Sequence, residues 1–145
     1  MAADIRSYHQ WQARLDPRQI YSQAPAPQYP ELVDGQLYYL EQRAVEGGRS
    51  VLVRQPLDDI TNDNSAGSKE TLTPDGYNVR SRVHEYGGKA FLIADGYAWF
   101  NNDTDSRIYK QNLSSGLPPE VLSVAGRKDP AIDFQLTADG NYLIF

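Results

Sequence analysis

An all-β fold made of repeated antiparallel units is what this sequence predicts, and three observations carry it. Asp-Gly recurs at 34–35, 95–96 and 139–140, each time just ahead of an aromatic-rich run: Leu-Tyr-Tyr-Leu, Tyr-Ala-Trp-Phe and Tyr-Leu-Ile-Phe. The second and third copies lie 44 residues apart (Gly96 to Gly140), within the 40–45 residues over which four-stranded propeller blades recur. Nine Pro and eleven Gly are scattered along the chain, and ten of its aromatic residues are Tyr, a mixture that suits short strands and turns better than long helices. The fold expected is an incomplete β-propeller of about two four-stranded blades plus the start of a third, with a short N-terminal helical arm.

Residues 1–30 are expected to be that arm and a Pro-rich connector. Tyr8, Trp11, Leu15 and Ile20 approach helical spacing, interrupted by Pro17, which predicts one short helix before Asp16-Pro17. Ala24-Pro-Ala-Pro27 and Pro30 predict stiff, extended chain. Residues 31–145 are expected to be the partial propeller, in units of about 31–76, 77–125 and 126–145. In the first, a Tyr-rich strand at 37–42 is entered through Asp34-Gly35. Glu46-Gly-Gly-Arg49 is a hairpin turn, since paired glycines supply positive φ, and 50–54 is the return strand. Residues 56–70 are polar and turn-rich, hence a loop. Residues 70–73 close the unit before the Pro74-Asp-Gly76 turn.

The second unit has strands at 90–94 and 97–101 joined by Asp95-Gly96, then 106–110 and 119–123. Gly35 and Gly96 are 61 residues apart, one blade plus the 56–70 loop and a segment at 77–89. A third unit opens at 132–136, turns at 138–140 and enters an apolar strand at 141–145. That strand has no partner after it in the chain, and an open sheet edge invites aggregation, so an N-terminal fragment of a longer product is expected.

Composition limits function. The net charge is −5, with no basic run, which argues against nucleic acid. There is no Cys, so disulfides, thiolate metal sites and a Cys nucleophile are excluded. The N-terminus has no apolar signal core and no apolar run approaches membrane-spanning length; a cytoplasmic protein without membrane partners is the expectation, with homo-oligomerisation open. Gly-x-Ser-x-Gly is absent, and His9 and His84 are the only histidines, so no catalytic residue is assigned. No metal ligand set and no cofactor is expected: Asn101-Asn-Asp-Thr-Asp-Ser-Arg107 has alternating oxygen ligands but lacks the glycine and distal Glu of a calcium loop, and no phosphate-cradling motif occurs.

What remains is Asn78-Val-Arg-Ser-Arg-Val-His-Glu-Tyr-Gly-Gly88. If extended, it places Arg80, Arg82, His84 and Tyr86 on one face and Val79, Val83 and Glu85 on the other. Cations in a row are costly to bury unpaired. They either pair with carboxylates, tying blades together, or line a wet cavity, where Arg80 or Arg82 holds a substrate carbonyl or carboxylate and Glu85 an amine. Both readings stand at this point, with Arg80, Arg82, His84 and Glu85 as candidate substrate-binding residues. Gly87-Gly88 permits a sharp turn or a close approach.

An ordered series of motifs runs through the chain: Glu41 to Arg43, Glu46 to Arg49, Leu52 to Arg54, Leu72 to Pro74, Asn78 to Gly88, and Asn102 to Tyr109. Together they resemble the opening of the β-propeller in peptidases of the prolyl oligopeptidase family, of acylaminoacyl-peptidase or dipeptidyl aminopeptidase type. The resemblance covers roughly residues 31–145. The polar insertion at 56–70 and Lys89, where a small residue is expected, depart from the pattern. The resemblance implies a propeller that acts as lid and size filter for short peptide substrates. It also implies an α/β-hydrolase domain with a Ser-Asp-His triad, all beyond residue 145. The alternative is a free-standing propeller-type binding module without catalysis.

Overall fold

Two hairpin signals dictate the local geometry. At Asp34-Gly35 and Asp95-Gly96 both central residues have positive φ (50° and 72°, 48° and 77°), the conformation that matches the twist of flanking antiparallel strands. The computed structural model, which describes residues 26–58, 69–123 and 130–145, builds a sheet on each. The first holds β1 (Ala26–Val33), β2 (Gln36–Arg43), β3 (Arg49–Pro56) and β4 (Glu70–Thr71) in that order. The second holds β5 (Phe91–Ala94), β6 (Tyr97–Asn102), β7 (Arg107–Asn112) and β8 (Glu120–Val121), again in chain order. Every pairing is antiparallel. A two-stranded ladder, β9 (Gln135–Leu136) with β10 (Leu143–Ile144), follows.

The alternation of side chains along each strand stacks these sheets face to face. Tyr38, Leu40 and Leu52 from the first sheet meet Phe91, Ile93, Ala98 and Phe100 from the second in one buried cluster. The intervening residues point the other way. Tyr39, Val51 and Val53 form a separate cluster on the far face of the first sheet. Leu92 and Ile108 pack with Ala131, Phe134 and Leu143 on the far face of the second. With both faces covered, β3 reads as the unbroken apolar run Val51-Leu-Val53, all three residues at most 1% exposed.

Strands form in each expected region, but those expected at 70–73, 119–123, 132–136 and 141–145 are only two residues long. Residues 44–48 make the β2–β3 connection, with Gly47 and Gly48 at φ 68° and 83°, and Glu46 holds Arg43 and Arg49 on its two sides. One element differs. Residues 26–30, expected as unpaired connector, belong to β1, hydrogen-bonded to β2. Pro27 and Pro30 disguise it, because proline donates no ladder hydrogen bond and sits in strands only at edges or bulges; β1 has both. Its pairing steps from Gln28↔Leu40 to Glu31↔Tyr38, one extra residue on β1, and Tyr29 there has φ 54°. The expected arm helix lies outside the described residues, as does most of the 56–70 loop.

Candidate functional site

The candidate residues lie on the crossover from β4 to β5. Its first part is stitched to both sheets. Val79 bridges Asn102 and donates its N–H to the Ser50 carbonyl of β3, while Arg80 donates to the Asn101 carbonyl of β6. The Asn78 side chain accepts from the Ser50 N–H, and the Asn102 side chain accepts from the Asn78 N–H. Three consecutive residues thus satisfy their backbone N–H groups across the gap between two sheets.

Beyond Arg80 the segment is not extended, which corrects the alternating faces expected for it. Val83–Glu85 is a 3₁₀ turn, and His84 and Glu85 have φ 52° and 66°. The reason is Gly87-Gly88. Gly87 has φ 74° and lies so close to the Ser81 carbonyl that a Cβ would sit 2.8 Å from it; a Cβ on Gly88 would meet the Ile132 side chain at 2.8 Å. Glu85 and Gly87 donate to the Arg82 and Val83 carbonyls, closing a loop no strand register allows.

The four candidates therefore separate. Arg82 aims its fork at Asp103, with Nε 2.9 Å from Oδ1 and Nη2 3.1 Å from Oδ2; the carboxylate holds the guanidinium pKa above its usual value through these bonds. Arg82 pins the loop to the β6–β7 turn. Arg80 is exposed and lines a cleft. His84 and Glu85 sit exposed on the loop tip, and neither side chain has a partner among the described residues.

That cleft, of about 540 Å³, is lined by Gln28 and Tyr29 of the β1 bulge, Gln42 of β2, Arg80, Tyr86 and Gly88. Tyr29 and Gln42 were not singled out from the sequence, and Tyr86 was placed beside Arg80 but not among the candidate binding residues. A Pro-x-x-Pro interruption beside a strand was the available signal for the bulge, and bulges commonly re-aim side chains beside functional sites. Among the described residues no group of three or more His, Asp or Glu stands ready for a metal ion. The calcium-like stretch is a polar turn organised by Asp105, which accepts from the Asn102 side chain, the Arg107 N–H and the Tyr109 hydroxyl. No helix among the described residues is long and apolar enough to cross a membrane.

No protein-family profile and no curated protein matches the chain. Solved structures do. A puromycin-hydrolysing peptidase from Mycobacterium tuberculosis matches with a TM-score of 0.74 at 21% identity. A puromycin hydrolase matches with a TM-score of 0.70 at 26% identity. Each alignment covers 92% of this chain and 20% of the other, so the chain spans about a fifth of their length. In fold, the chain is similar to an all-β portion of puromycin-hydrolysing peptidases, the neighbours that its motif series leads one to expect within the prolyl oligopeptidase family.

Proposed function

We propose that the two four-stranded sheets are successive blades of a β-propeller, and that the chain is the N-terminal part of a serine peptidase acting on short peptides. The observation that carries this is the backbone likeness over 92% of the chain to peptidases five times its matched span. Face-to-face stacking of consecutive sheets in chain order supports the blade reading. The nucleophile, base and acid belong to a separate α/β-hydrolase domain. The propeller acts as its lid and size filter, and the crossover loop contributes substrate contacts through Arg80, His84 and Glu85, with Arg82 holding the loop in place.

Hydrolysis by the full-length protein tests this. Chromogenic dipeptidyl and acyl-aminoacyl substrates are assayed beside puromycin, the substrate named for both neighbours, with Glu85→Ala and Arg82→Ala alongside wild type. Cleavage that changes in rate or preference in the variants, with folding intact, supports the loop as part of the substrate site. Cleavage unaffected by either variant keeps the peptidase and removes the loop from its site. No cleavage of any substrate sinks the peptidase reading in favour of a propeller-type binding module.

A further inference from the structure

Among the described residues, the non-glycine positive-φ positions outside small polar turns lie on the two segments that meet at one cleft. Seven non-glycine residues among those described have positive φ. Asp34 and Asp95 sit in two-residue hairpins, Ser106 in the β6–β7 turn and Asp133 in a bend, all small polar residues where such φ is tolerated. The other three are Tyr29, His84 and Glu85; histidine enters this region more readily than most, but tyrosine and glutamate rarely do. Tyr29 lines the 540 Å³ cleft, and the other two immediately precede Tyr86, an exposed residue that also lines it. Strain of this kind costs on the order of 1–3 kcal/mol per residue and persists where the surroundings over-determine it, commonly at ligand clamps.

The cleft holds one formal charge. Among the described residues that line it, Arg80 alone is ionised, set among the neutral polar groups of Gln28, Gln42, Ser50 and Ser81 and the aromatic rings of Tyr29 and Tyr86. The Arg80 guanidinium has no partner among the described residues, whereas neighbouring cations are satisfied: Arg82 by Asp103, Lys89 by Glu31 and Arg54 by Glu70. A second cleft, near the outer strands, has its arginine already in that last pair.

We propose that this cleft is a carboxylate-recognition subsite, in which the Arg80 fork takes a carboxylate of a short peptide and Tyr29 and Tyr86 flank the adjoining residue. A planar fork matches a carboxylate bidentately, and neutral amides and hydroxyls around it leave the anion no competing charge. The subsite deepens the peptide-handling reading above and rests on it only for the choice of peptide as ligand. The carboxylate comes either from the C-terminus or from an acidic side chain.

Calorimetric binding to the full-length protein, under conditions without turnover, separates these. The probes are Ala-Ala-Ala with a free C-terminus, its C-terminal amide, and Ala-Glu-Ala amide, titrated into wild type, Arg80→Gln and Arg80→Lys. Wild type is expected to bind one free-carboxylate probe at least roughly tenfold more tightly than the plain amide, the size of one charge-assisted contact. Arg80→Gln is expected to erase that preference, bringing the free-carboxylate probe to the affinity the same variant shows for the plain amide, and Arg80→Lys to restore part of it. Preference for the first probe assigns the C-terminus, and for the third an acidic side chain. Equal binding of all three by wild type, or a preference that survives Arg80→Gln, overturns the proposal. Chromogenic assays on the same samples keep the two readings apart. Carboxylate-dependent binding without hydrolysis retains the subsite and discards the peptidase. Hydrolysis with carboxylate-blind binding does the reverse.

Discussion

The Asp95-Gly96 hairpin and the crossover at 78–88 both turn the chain with positive-φ residues, but for opposite reasons. At the hairpin a Cβ on Gly96 would meet nothing within 4 Å; the turn follows from two residues that tolerate the left-handed region, and the flanking strands pair Ala94 with Tyr97 without further help. At the crossover, Gly87 and Gly88 are hemmed in by Ser81 and Ile132, and His84 and Glu85 adopt positive φ in succession, which glutamate does not favour locally. Local preference builds the first and tertiary contact imposes the second. Structure imposed from outside can be aimed at a ligand, and it is there that the unpaired groups lie.

The largest effect should come from the packing that both regions share. Phe100 is fully buried between the sheets, stacked on Tyr109 with ring centroids 5.7 Å apart and edge-on to Tyr77 at 5.9 Å. Phe100→Ala should lower the unfolding free energy by about 3–5 kcal/mol, measured by denaturant titration of the full-length protein. A loss under ~1 kcal/mol would mean that the sheets do not pack through this cluster.

The comparison itself is sharpened by two alanines. Gly96→Ala should cost only the left-handed strain, ~1–2 kcal/mol. Gly87→Ala carries the same strain plus a contact at 2.8 Å with a backbone oxygen, so it should cost clearly more in the same titration. Equal losses would erase the distinction drawn between the two turns.

Tyr109 offers a pH test. Burial, then the hydrogen bond to Asp105, pushes its phenol from 10.0 up to about 12. Below pH 10 folded and unfolded chains are both protonated and the full contribution is present. Above it the unfolded chain loses its proton first, and the contribution is gone by about pH 12. Stability should fall across that window, and fall less in Tyr109→Phe; an identical alkaline slope in the variant would assign the loss to other groups.

The smallest effect should belong to Arg82→Ala. Its side chain is 71% exposed, and exposed ion pairs stabilise little, so global stability should stay nearly level. Amide exchange at Glu85 and Gly87 should quicken, because Arg82 is what ties their loop to Asp103. Unchanged exchange would show that Gly87-Gly88 alone holds the loop.

The strands from residue 36 onward were legible in sequence because their signals are local. Asp-Gly demands a tight hairpin, Gly47-Gly48 a turn, and alternating or continuous apolar residues a strand with one or two covered faces. β1 was not legible as a strand, since its prolines remove the donors by which a strand is recognised, and only an edge position with a bulge makes them harmless. The candidate site was legible in part. Arg80, Arg82, His84 and Glu85 could be picked out as charge with no core to enter, yet their division into one anchoring residue, one cleft-lining cation and two loop-tip groups depended on Asp103, twenty-one residues further on from Arg82, and on the distant bulge at Tyr29. By itself, then, the sequence determined which segments pair as strands and where they turn, through backbone preferences that act within a few residues. Only the tertiary structure decided which charges meet a partner and which face an open cleft, because both depend on side chains that the packing of one sheet on another brings within hydrogen-bond range.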